Sequence, residues 1–382
     1  MIGLRCARLF DGDTLHHGPS TVVLDGGQIV DGRIVEPSGD LPVIDLGDVT
    51  LLPGLVDAHT HLAFEPGSDI PRDMAGTPRE VVIERMRAHA TQALRAGITT
   101  VRDLGDRDYL AIEARAGLPL GPEILAAGPP ITSPGGHCWF LGGEVPADRS
   151  ALADAVAERV ERGVDVIKIM ATGGGITPGS AAHQSQYDLD QLRAVVEAAH
   201  AAGLPVTAHA HGGAGIRDAV RAGVDGIEHG TFLTANGADP DWATVDEIIA
   251  AGVYVGVTAG RMPTGKPLPP HVIAARSFLA DMRRKGARLV CSSDAGIISD
   301  KPHDCLPHGT PEFQVFTQLS AASVLTSVTR LAADSCGVGH RKGRIAPGFD
   351  ADLLAVRGDP TADLAALADV AAVFRAGTRV DN

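Results

Sequence analysis

Leu55-Val56-Asp57-Ala58-His59-Thr60-His61 is the stretch that decides how this chain reads. An apolar run ends in two imidazoles one residue apart. In an extended segment residues i and i+2 point to the same face, so both rings can reach one metal ion just past the strand end. Taken alone the pair leaves a plainer alternative, because a histidine at a strand end can simply hydrogen-bond a nearby carbonyl.

Downstream of that stretch, apolar runs alternate with helical segments. Eight runs stand out: Leu55–His59, Ile98–Asp103, Glu123–Ala127, Val166–Ala171, Val206–His209, Gly226–His229, Val253–Thr258 and Leu289–Asp294. The intervening segments are rich in Ala, Glu and Arg. Asp148–Arg162 and Asp190–Ala202 are the clearest helices, each ending near a glycine (Gly163, Gly203). Asp188 and Gln191 have the spacing of a capping box. Eight βα units predict an α/β chain built as a (β/α)₈ TIM barrel, with its active site at the C-terminal strand ends.

Both ends of the chain differ from this middle. Ser20–Leu24 and Gln28–Val30 flank the turn Asp25-Gly26-Gly27, a hairpin signal. Val43–Leu46, Val49–Leu52, Ala351–Val356 and Val370–Gly377 also read as short strands. The expected organisation is a small β-sandwich lobe from residues 1–54 plus 338–382, and a barrel over 55–337.

Bulk properties exclude some classes. The 382 residues carry 33 Lys plus Arg against 47 Asp plus Glu, a net charge of −14, which speaks against a nucleic-acid surface. No apolar run approaches the roughly 18 residues of a membrane span. The start of the chain has no long apolar segment of the signal-peptide kind. Five scattered cysteines (Cys6, Cys138, Cys291, Cys305, Cys336) without CxxC spacing fit a reducing compartment, so a cytoplasmic location is expected. The expected partner is a small-molecule substrate, with no nucleic acid and no membrane; a homo-oligomer is left open.

Candidate ligands recur where the eight runs end. Lys168 lies in the fourth, His209 closes the fifth, His229 the sixth and Asp294 the eighth. Each has a plainer reading: a carbonyl-bonded histidine, a capping or turn aspartate, a lysine paired with a nearby acid. A buried amine without a partner is costly, which makes Lys168 the hardest to set aside. Independent accidents would not all fall at C-terminal strand ends.

On these residues the chain resembles the amidohydrolase superfamily over nearly its whole length. Pro53-Gly54-Leu55-Val56-Asp57-Ala58-His59-Thr60-His61 matches the opening motif, and Lys168, His209, His229 and Asp294 match the remaining metal-site positions in order. Within the superfamily it is similar to the imidazolonepropionase-like and Xaa-Pro dipeptidase-like group. Ile131-Thr132-Ser133-Pro134-Gly135-Gly136-His137, Met170–Gly175, Ala208-His209-Ala210-His211-Gly212 and Ile227-Glu228-His229-Gly230 support this.

The resemblance implies two divalent ions, zinc above all, since imidazole and carboxylate donors suit it. His59, His61 and Asp294 would hold the more buried ion, and His209 and His229 the other. Lys168 would be N-carboxylated by carbon dioxide, its carbamate bridging the ions where an ammonium would repel them. Metal binding lowers the pKa of water to about 7, and the resulting hydroxide would attack an amide-type carbonyl. Asp294 would act as general base and then acid. His137 would hydrogen-bond the carbonyl oxygen, its plainer alternative being a loop histidine in solvent.

For specificity, Tyr187, His211 and His308 are the candidate substrate-binding residues, with helix-entry packing an equal alternative for Tyr187. Some dipeptidase-like relatives carry Tyr where this chain has His211, which puts dipeptidase specificity in doubt. The loop Gly260–Pro270 reads equally as a lid or as a surface excursion, and His303 as incidental. The expected substrates are N-acyl amino acids, dipeptides or related carbonyl compounds; opening of a cyclic amide or lactone is the alternative. A mononuclear deaminase of the superfamily would need Glu where this chain has Gly212, and a non-catalytic relative would have lost ligands.

Overall fold

The computed structural model describes residues 1–34 and 41–380, so residues 35–40 and 381–382 of the expected lobe lie outside the described part. All eight apolar runs form strands: β1 (Leu55–Thr60), β2 (Ile98–Asp103), β3 (Glu123–Ala126), β4 (Ile167–Met170), β5 (Val206–Gly212), β6 (Gly226–Thr234), β7 (Tyr254–Thr258) and β8 (Arg288–Ser292). Chain neighbours pair in parallel within β1–β2–β3 and within β4–β5–β6–β7–β8. Single parallel bridges link the two sets, Ile131 to Ile169 beside β4 and Thr60 to Ala295 past β8. The result is a TIM-barrel-like α/β fold. Strands β1 and β2 are buried at every position, as expected of parallel strands covered on both faces.

The intervening helices form where the sequence signals them. Asp148 caps Arg149–Arg162 by accepting from the Ser150 and Ala151 amides, and Gly163 ends the helix in left-handed conformation. Asp188 and Gln191 form the reciprocal capping box of Leu189–Ala201. Among the described residues no helix is long and apolar enough to cross a membrane, and all five cysteines are free and buried.

The terminal strands join in one eight-stranded sheet. Val49–Pro53 pairs antiparallel with Leu353–Arg357, which brings the two ends of the chain together. The hairpin is present, with Asp25 opposite Gln28 and Gly26 at φ +55°. Lys342, almost fully buried, contacts Asp352 at 2.5 Å and Glu123 of β3 at 3.1 Å, tying this sheet to the barrel-like array.

Candidate metal centre

Strand β1 delivers His59 and His61 into the interior, 1% and 6% exposed. His59 Nδ1 lies 2.9 Å from Glu228 Oε2, and His61 Nδ1 lies 3.2 Å from the Gly105 carbonyl. An ionised carboxylate and a carbonyl only accept, so each Nδ1 carries the proton and each Nε2 keeps a lone pair. Both Nε2 atoms are 3.3 Å from Asp294 Oδ1. Two imidazole lone pairs and a carboxylate oxygen therefore converge on one point.

Asp294 sits in the turn after β8, with φ +56°. Its amide donates to the His59 carbonyl at 2.7 Å. The preceding Ser293 donates its amide (3.0 Å) and its hydroxyl to the Asp57 carboxylate, locking this turn onto β1. Lys301 Nζ donates to the carbonyls of Ser293 (2.6 Å) and Thr258 (2.9 Å). Burial alone would raise the Asp294 carboxyl, but His59, His61 and Lys301 outweigh it and hold the group below the usual carboxylate range. His229 is also left-handed, at φ +73°. Such backbone in a non-glycine residue costs on the order of 1–3 kcal/mol and gathers at functional sites.

A second convergence lies on β5 and β6. His209 Nε2 donates to the Gly173 carbonyl at 2.9 Å, which leaves its Nδ1 lone pair 3.1 Å from His229 Nε2. Lys168 of β4, 1% exposed, lines the same cavity as both pairs, and its Nζ has no hydrogen-bond partner among the described residues. Burial pushes its amine down to about 8, against the opposing pull of Glu228 and Asp294. All six candidate ligands, with His137 and His211, line one cavity of 380 Å³. Ile176, Leu233, Val272, Ile297 and Ile298 give the cavity an apolar stretch of wall, beside the basic Arg261, Arg276 and Lys301.

His137 is not in solvent. It is 4% exposed, its amide bonds the Gln186 side chain, and its ring lies 4.6 Å from that of His209. Only a glycine fits at 174, because a Cβ there would run into the His137 ring. Burial drives the His137 imidazole down to about 3, so it is a neutral group with a single N–H to offer.

Two expected substrate residues lie outside the lining of this cavity. Tyr187 is 2% exposed and donates its hydroxyl to the Val145 carbonyl at 3.0 Å, away from the cavity; it packs the helix entry. His308 lies in the helix Leu306–Thr317 and faces separate cavities lined by Pro307 and Ala368. His211 does line the site, stacked on His229 at 4.4 Å. From the loop 260–270 only Arg261 reaches the cavity wall, next to Arg276 and Lys301. His303 is far from incidental: it donates to the His61 carbonyl at 3.0 Å and stacks on His89 at 3.9 Å.

Sequence reading missed Glu228. The residue is 1% exposed and accepts from His59, from Arg102 Nη2 at 3.0 Å and from the Thr207 hydroxyl at 2.7 Å. Gly256 on β7 makes room for it, since a Cβ there would meet the carboxylate. Burial opposes ionisation, but His59, Arg102 and Lys168 hold the group below its ordinary value. Adjacent strand residues alternate faces, so Glu228 and His229 should not both point inward; the left-handed backbone at His229 breaks that rule. A charged Arg102 inside a short run read as a buried strand was the available signal. Partners of this kind orient ligand histidines, so Glu228→Gln is expected to weaken metal affinity by about 10–100-fold. Competition with a chromogenic chelator measures this, and an unchanged midpoint would remove Glu228 from that role.

Comparison with known proteins identifies the family. The amidohydrolase family model matches residues 50–380. Ochratoxinase from Aspergillus niger is 26% identical over 350 residues, covering 82% of this chain and 71% of the relative. Imidazolonepropionase from Acidiphilium cryptum is 28% identical over 390 residues, covering 92% of each chain. A solved Xaa-Pro dipeptidase with methionine bound in its active site superposes with a TM-score of 0.84 at 28% identity, over 100% of both chains. The chain belongs to the amidohydrolase family, and is a hydrolase acting on carbon–nitrogen bonds.

Proposed function

We propose that this chain is a binuclear metal-dependent hydrolase that cleaves the amide bond of N-acyl amino acids or dipeptides. Lys168 is the observation that carries the reading. An amine that is buried, without a partner and set among His59, His61, His209, His229 and Asp294 has no structural rationale as an ammonium. Its depressed pKa of about 8 leaves free amine near neutral pH, and free amine is the form that captures carbon dioxide. In that step the amine nitrogen bonds to the carbon of carbon dioxide as one C=O π bond opens onto oxygen, a proton passes from nitrogen to solvent, and the product would be an anionic carbamate suited to a site for two cations.

His59, His61 and Asp294 would hold one ion, and His209 and His229 the other, the tautomers already fixed by Glu228, Gly105 and Gly173. When bound, the ions, zinc by donor chemistry, supply a Lewis acid and an acidified water. Asp294, kept ionised, takes the proton of the attacking water and passes it to the leaving nitrogen. His137 offers its N–H to the carbonyl oxygen as charge develops there. The apolar wall would take a hydrophobic side chain or acyl group. The methionine held by the similar dipeptidase supports an amino-acid product.

The match to imidazolonepropionase over 92% of both chains favours a second reading, opening of a cyclic amide by the same residues. A screen of N-acyl amino acids and dipeptides against cyclic amides and lactones separates the two. We also carry forward the lobe of residues 1–54 plus 338–382 as a sandwich, on the support of a common core that joins Leu4, Val22 and Leu24 to Leu353 and Phe374. Five free buried cysteines support a cytoplasmic setting.

Metal analysis tests the central claim. Gently purified protein is expected to hold about two divalent ions per chain; one or none would sink the binuclear proposal.

A further inference from the structure

We infer that His211 is a third imidazole ligand of the ion held by His209 and His229, and not a substrate clamp. This rests on the binuclear reading above.

Three observations carry the inference. First, His211 follows His209 by two residues on β5, so both side chains leave the strand on the same face. Second, the three rings pack as a cluster. The His211 centroid lies 4.7 Å from that of His209 at a steep 82° and 4.4 Å from that of His229 at 13°. One ligand atom from each of the three lies within 4.8 Å of the others. Third, His211 Nδ1 is 2.7 Å from the Thr231 hydroxyl. That arrangement is typical of a metal-bound histidine: one ring nitrogen anchored by a hydrogen bond, the other free to offer its lone pair.

Distance and chemistry both favour the metal. A zinc ion with bonds of about 2.0–2.1 Å brings its nitrogen ligands roughly 3.4 Å apart. His209 Nδ1 and His229 Nε2 already meet that at 3.1 Å. A clamp for a substrate carboxylate needs an N–H pointing into the cavity. With Nδ1 paired to the Thr231 hydroxyl, the remaining ring nitrogen is Nε2, and it offers a lone pair in the tautomer that donates Nδ1–H to Thr231.

His211→Phe keeps a stacking ring and removes both nitrogens. Thr231→Val keeps the imidazole and removes its anchor. In chelator competition His211→Phe is expected to weaken the second ion at least about tenfold while the first is retained, and Thr231→Val to weaken it less. In the cobalt-substituted protein the visible ligand-field spectrum should change for His211→Phe and keep its donor signature for Thr231→Val. His211→Gln gives the same readout if the phenylalanine variant does not fold. A His211→Phe protein with wild-type metal midpoints and cobalt spectrum, altered only in KM, would overturn the assignment. A wild-type chain holding a single ion would overturn the binuclear reading instead. His211 would then be judged on that ion, an unchanged affinity in His211→Phe counting against it.

Discussion

Lys168→Ala is expected to lower turnover by about 10³-fold or more, the scale seen when a group that holds or stabilises the reacting centre is removed. The loss should extend to metal content, because alanine leaves two cationic sites with no anion between them. Short carboxylic acids such as acetate or propionate should restore part of both. The substitution opens space in an enclosed cavity, and a free carboxylate presents the same two oxygens as the carbamate. Unchanged activity would remove the carbamate from the mechanism. Loss without rescue, at full metal content, would place Lys168 in a role other than bridging.

A stability measurement accompanies that prediction with the opposite sign. Lys168 Nζ is buried without a partner, so the metal-free wild type bears an uncompensated polar group. Lys168→Met fills similar volume without that penalty. The metal-free variant should therefore melt at or above the wild type, while the wild type regains its advantage when loaded. Activity and apo-stability are then expected to move in opposite directions at Lys168.

Much of this was legible in the sequence, and the failures have physical reasons. The eight strands could be read because each is a short apolar run bounded by helices with strong caps, such as those at Asp148 and Asp188. Their ends were less certain. Strand β8 stops at Ser292, so Asp294 belongs to a strained turn, and β6 runs on to Thr234. The candidate ligands still gather in one cavity despite these shifts, because a barrel of this kind places its site at the C-terminal strand ends whatever the last residue. Side-chain direction outside regular strands was not legible. Tyr187 and His308 lie at a helix entry and in a helix's first turn, where periodicity gives no heading toward a cavity. Nor could long-range support be read. Asp57 holds the Ser293 turn from 236 residues away, and Glu228 holds His59 from 169 away.

Asp294→Asn is the sharper test of the chemistry itself. The substitution preserves shape, and asparagine tolerates left-handed backbone better than most residues. The main-chain bond from residue 294 to the His59 carbonyl does not depend on the side chain. The fold and the turn after β8 should persist, which circular dichroism and a melting curve can verify. What is lost is an oxygen that can accept a proton between two imidazole Nε2 atoms at 3.3 Å. An amide cannot carry that proton, so kcat should fall by about 10²–10⁴-fold, the usual contribution of a positioned general base. KM should change far less, since substrate would still meet His137 and the apolar wall. If kcat holds while metal affinity collapses, Asp294 is a ligand and the proton is carried elsewhere in the cavity. If both hold, the convergence of His59, His61 and Asp294 has been misread as a centre of reaction.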